Sequence, residues 1–139
     1  MKGRRRTGRG AREPVWIDER DALSIHDRVT ALHGGLSVVR DSGLLESALA
    51  RPRQHYAYRK GTGLPDLAAI YVAGIVRNHP FVDGDKRTGF VIGVLFLELN
   101  GFEFLAKEED AAQAIMDLAA GTLREADFAR WLKTNIKRN

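Results

Sequence analysis

The run PDLAAIYVAGIVRNHPFVDGDKRTGFVIGVLFLELN, residues 65 to 100, decides the fold of this 139-residue chain. Its two halves, Leu67 to Val76 and Gly89 to Leu97, are almost continuously apolar. Both are long for a strand. Pro65 and Asp66 open the first and Asn100 and Gly101 close the second, so the spacing predicts two helices, 65–78 and 86–100, buried on most sides and forming the core. Neither run approaches the roughly 20 apolar residues of a membrane span. Between them, His79 to Arg87 crowds polar residues into a tight connection, and that contrast needs a cause.

Outward from this core the pattern stays helical. Towards the N-terminus, Ala22, Ile25, Val29 and Leu32 recur at the spacing of one buried helix face, starting near Asp18 and ending at Gly34 and Gly35. Asp41 or Ser42 can cap a shorter second helix with Leu44, Leu45, Ala48 and Leu49 on one side, ended by Pro52. Residues 53–63, RQHYAYRKGTG, mix aromatic, basic and small residues without helical period, and read as an exposed loop or short hairpin. Phe102 to Leu105 is too short to classify. Glu108 to Ala119 and Arg124 to Lys137 read as a fifth and a last helix, the latter with Phe128, Trp131, Leu132 and Ile136 on one stripe. With no sustained alternation of apolar and polar residues, the class is all-α, about six helices with at most one small hairpin. Trp16 and Trp131 are expected to close the core.

The charge is uneven. Residues 1 to 12 carry six basic residues and no acid, so the rest of the chain, with 16 basic and 18 acidic residues, is at −2 while the whole is at +4. The basic excess is therefore a property of the tail, read as disordered because it lacks core-forming side chains. Residues 13–139 are read as one domain. Nucleic acid is expected as a partner only through that tail, if at all. No apolar segment follows the arginines to make a secretory signal, and no cysteine is present, which excludes disulfides and thiolate metal sites and points to a reducing cytoplasm.

Pro80 disfavours helical geometry at His79, which should leave that imidazole at the mouth of the polar connection. Phe81 should anchor the connection in the core, and Gly84 allows a positive φ or close approach to a ligand. Lys86 and Arg87 then sit on the first turn of the fourth helix, where cations are mildly unfavourable unless an anion joins them. Asp83 is a hard oxygen ligand suited to Mg²⁺, and His79 can take a proton from a hydroxyl. These residues alone support two readings equally: a nucleotide site, or a helix-ending histidine, an N-cap aspartate and two solvated cations.

The segment HPFVDGDKRTG resembles the Fic/Doc motif, His-x-Phe-x-Asp/Glu-Gly/Ala-Asn-Gly/Lys-Arg, and departs from it only at Asp85, where the pattern has asparagine. IHDRVTALHGG, RDSGLLESALARP and VLFLELNG resemble the death-on-curing branch of that family, so the likeness spans roughly residues 15 to 105. The resemblance implies a helical domain using ATP and Mg²⁺. His79 would be the catalytic base and Arg87 a catalytic phosphate ligand; Phe81 would fix the loop, Asp83 hold Mg²⁺, and Gly84, Asp85, Lys86 and Arg87 form the nucleotide-binding set. Fic enzymes that attach AMP usually have glycine where Lys86 stands and a second arginine where Phe90 stands. The pattern here resembles that of the death-on-curing branch, known for phosphorylating translation elongation factor Tu and for pairing with a cognate antitoxin. This implies a type II toxin that blocks translation, with AMP transfer, or an antitoxin-binding module without catalysis, as alternatives.

At Asp85 an ionised carboxylate can only accept hydrogen bonds and brings negative charge towards a triphosphate. Asp85→Asn is therefore expected to tighten ATP binding about tenfold, the competing possibility being a second Mg²⁺ ligand. His26 and His33 lack a third ligand for a metal site and read as core or surface histidines. His55, Tyr56 and Tyr58 with Arg53, Arg59 and Lys60 could stack bases of an RNA. In a Fic-like fold that position resembles the flap that docks the target protein, the preferred reading.

Overall fold

The computed structural model describes residues 13–139, so the tail expected at 1–12 lies outside the described residues. Six helices follow in order: α1 Glu19–His33, α2 Ser42–Tyr58, α3 Leu64–Asn78, α4 Asp85–Leu99, α5 Glu108–Ala120 and α6 Glu125–Thr134. Two short strands, β1 Phe102–Phe104 and β2 Ile136–Arg138, pair antiparallel with Phe104 opposite Ile136. The all-α class with six helices holds.

α3 is the hub. Every residue from Leu67 to Val76 is buried, and α3 packs against α2, α4, α5 and α6. Its closest neighbour is α4, because Gly89 and Gly93, one turn apart, present no side chain to it; a Cβ at Gly93 would collide with Val72. Asp18 starts α1 with a capping box, accepting from the Asp21 N–H at 2.9 Å while the Asp21 carboxylate accepts from the Asp18 N–H at 3.1 Å. Asp41 caps α2 by accepting from the Leu44 N–H. Trp16 and Trp131 both pack on the core.

Four expectations are corrected. Pro52 does not end α2, which continues to Tyr58. The spacing of Leu45, Ala48, Leu49, Pro52 and Tyr56 keeps helical period through the proline, and Tyr56 packs edge-on to Trp16, so tertiary contact outweighs the lost helix bond. Residues 53–63 are thus the last turns of α2 and its exit rather than a hairpin. The final helix stops at Thr134, and Ile136 belongs to β2, where pairing with β1 satisfies the backbone of Phe102 to Phe104. The buried face of α1 is also turned by one position: Ala22, His26, Val29 and Thr30 are buried, while Leu32 is 80% exposed.

Candidate functional site

The connection between α3 and α4 is held from three sides. α3 ends at His79, which takes the left-handed conformation (φ 50°, ψ 59°), an unfavourable one for a residue with a Cβ. The Arg40 guanidinium stabilises it there, donating from Nε to the His79 carbonyl at 2.6 Å and from Nη2 to the Asn78 carbonyl at 2.8 Å. The Pro80 carbonyl accepts from the N–H groups of Arg40 and Asp41, the Val82 N–H donates to the Val38 carbonyl, and Val39 pairs with Phe81 in an isolated antiparallel bridge. Residues 38–41 therefore run alongside residues 80–82.

From below, α1 supports the connection through His26. Its ring lies flat on that of Phe81, centroids 3.8 Å apart and 11° between planes, and its Nε2 bonds the Asp83 carbonyl at 2.7 Å. A carbonyl only accepts, so this Nε2 carries the hydrogen. From the side, Oδ2 of Asp83 accepts from the Leu36 N–H at 2.8 Å. That approach needs Gly35, where a Cβ would come within 2.8 Å of the Asp83 Cβ.

Each residue singled out from the sequence can now be placed. His79 is at the mouth of the connection with its side chain 56% exposed. Phe81 is fully buried, as expected. Gly84 has φ 81° and is the N-cap of α4, which has no side-chain cap. Lys86 and Arg87 lie exposed on the first turn of α4, and among the described residues neither enters an ion pair. An uncapped helix start with a glycine before it and two unpaired cations on its first turn suits a phosphate group. Position 90 offers no further cation: Phe90 packs edge-on to Phe104.

Asp85 differs from its expected place. Its carboxylate turns into the connection and is 7% exposed; Oδ1 accepts from the Phe81 N–H at 3.0 Å, and Oδ2 lies 3.5 Å from Nδ1 of His79. Only its backbone N–H remains part of the α4 start. Asp83 is exposed, but among the described residues no group of three or more histidines and carboxylates could hold a metal. The donor set suits Mg²⁺ held by one carboxylate together with phosphate oxygens and water, and does not suit an all-protein cage.

The structure does not bring residues 53–63 to this site. They form the last turns of α2 and its exit, at the opposite end of α3, a helix about 21 Å long. Cavities of about 250 and 620 Å³ there are lined by Arg51, His55 and Tyr58, and by Trp16, Arg53 and Lys60. The extended segment beside the site is 36–41. Nothing local in the sequence marks Arg40 for a role, and His26 carries one signal beyond that of a core or surface histidine, its helical register with Ala22 and Val29.

Residues 16–97 match the profile of the Fic/DOC family. The chain is 29% identical over 117 residues to the protein kinase doc of Escherichia phage P1, covering 84% of this chain and 92% of that protein. It is 36% identical over 107 residues to the toxin Doc of Mycolicibacterium smegmatis, covering 76% of this chain and 80% of the relative. No helix among the described residues is long and apolar enough to cross a membrane. On the match of more than half its length, with His79, Phe81 and Asp83 in one braced connection and Arg87 on the helix turn that follows it, the chain belongs to the Fic/Doc family.

Proposed function

We propose that this chain is the toxin of a type II toxin–antitoxin pair, a kinase that moves the γ-phosphate of ATP to a hydroxyl of a protein target, elongation factor Tu being the expected one. The observation that carries the reading is the uncapped start of α4, with Lys86 and Arg87 unpaired on its first turn and His79 exposed across the connection. The relatives named as a protein kinase and a toxin support it.

In this reading Nδ1 of His79 faces Asp85 and Nε2 is left for the target hydroxyl. His79 takes the hydroxyl proton as that oxygen bonds the γ-phosphorus; the bond from phosphorus to the β,γ-bridging oxygen breaks and ADP leaves. Backbone N–H groups of the α4 start, Lys86 and Arg87 hold the phosphates and stabilise the charge. Asp83 would hold Mg²⁺, which neutralises phosphate charge when bound. Phe90 in place of a second phosphate-binding cation favours phosphate transfer over AMP transfer.

Incubating the purified protein with Mg²⁺, elongation factor Tu and ATP labelled at the α or the γ position tests this. Label on the target from γ alone is the expected result; label from α restores AMP transfer. No label, together with no Mg²⁺-dependent ATP binding, would leave only a non-catalytic antitoxin-binding module.

A further inference from the structure

We infer that His26, outside the motif and buried on α1, is a positioning residue that points the Gly84 N–H at the bound phosphate. The inference rests on the nucleotide reading above. His26 is 2% exposed, yet its ring does more than fill space. It stacks on Phe81, its Nε2–H holds the Asp83 carbonyl at 2.7 Å, and its Cδ2 lies 3.8 Å from where a Gly84 Cβ would stand. One side chain thus meets three of the four positions from 81 to 84.

The consequence follows from the planarity of the peptide. In a trans peptide the C=O of one residue and the N–H of the next point in opposite directions. No peptide of the described residues is cis. His26 draws the Asp83 carbonyl inward to α1, so the Gly84 N–H is directed outward, away from α1. Among the described residues no backbone or side-chain acceptor takes that N–H. It joins the free N–H groups of the α4 start as one more donor to an anion. Gly84 at φ 81° is where such a peptide can flip, because glycine tolerates either sign of φ. A flip would turn the Asp83 carbonyl outward and set a lone pair against the phosphate.

A leucine could fill the same space but could not hold the carbonyl, whereas a glutamine places an amide N–H near where Nε2 stands. His26→Leu is therefore expected to weaken Mg²⁺-dependent ATP binding roughly tenfold, in keeping with the loss of a phosphate donor, and His26→Gln to restore it to within about threefold. In the nucleotide-free protein, the backbone NMR shifts of Asp83 and Gly84 should report one state in the wild type and in His26→Gln, and a second state or exchange broadening in His26→Leu. Should the leucine variant fail to fold, His26→Asn, whose amide stops short of Asp83, takes its place. Unchanged Gly84 shifts in a folded variant lacking the donor would overturn the inference. A wild type without ATP affinity would instead overturn the nucleotide reading, while the shifts still decide whether His26 sets this peptide.

Discussion

Asp85 is the one position where the chain leaves the family motif, and the structure changes what substitution there should do. Its Oδ1 accepts the N–H of Phe81, a fully buried residue. Asp85→Ala leaves that N–H without a partner. A buried donor bonded to a charged acceptor and then orphaned is worth about 1.5–3 kcal/mol, or a fall in Tm of about 6–12 °C for a domain of this size. Asp85→Asn keeps an oxygen in the same place, so its Tm should stay within about 3 °C of the wild type. The same inward turn reduces the repulsion expected from sequence. With the carboxylate 7% exposed and set against Phe81 and His79, Asp85→Asn should alter ATP·Mg²⁺ affinity by less than about threefold instead of tightening it tenfold. Thermal unfolding and calorimetry of the three proteins make the comparison. An asparagine variant that melts as low as the alanine variant refutes the acceptor argument, and one that binds ATP tenfold more tightly reinstates repulsion.

Three further outcomes follow from the same geometry. His79→Ala should keep the fold, since the side chain is exposed at the end of α3, and abolish growth inhibition on expression; a variant that stays toxic at equal abundance removes His79 as the base. Arg40→Lys replaces a fork bonded to two carbonyls with a single ammonium, so Tm should drop by about 4–8 °C and transfer should fall with it; an unchanged transfer rate would show that the left-handed turn at His79 holds without the guanidinium. Tyr71, whose hydroxyl bonds both backbone groups of Ile17, has its pKa pushed up to about 12, chiefly by burial, so the unfolded chain ionises first as pH rises. Its contribution is intact below about pH 10 and lost between about 10 and 12. Alkaline titration of Tm should show that fall in the wild type and a shallower one in Tyr71→Phe.

Much of this was legible in the sequence because it depends on local chemistry. The apolar runs either side of His79 carry their own period and stops, and α3 and α4 lie within a residue of the expected bounds. Gly84 at positive φ, the buried Phe81 and the first-turn Lys86 and Arg87 follow from residue type and order alone. The failures share the opposite cause. The local penalty of Pro52 predicts a stop, but Tyr56 against Trp16 decides that α2 continues. Ile136 fits a helical stripe, yet the unpaired edge of Phe102 to Phe104 takes it into a strand.

The site divides along the same line. The motif names the residues that would meet the nucleotide, but their orientation is imposed by residues 39 to 57 positions away in sequence. Arg40 holds the His79 carbonyl, the Leu36 N–H holds the Asp83 carboxylate, and His26 holds the Asp83 carbonyl. A histidine on a buried helix face looks like core packing until its ring nitrogen is seen on a carbonyl of the loop. An arginine just before a helix looks like surface charge until its fork is seen on two carbonyls. Local pattern can nominate base, metal ligand and phosphate cradle; it carries no information about which way the peptide between Asp83 and Gly84 faces. That direction decides whether the start of α4 offers a phosphate another donor or a repelling lone pair. The α1–α2 segment is therefore as much a part of the candidate site as the loop, and substitutions at His26 or Arg40 should disturb nucleotide binding without either residue having to touch the nucleotide.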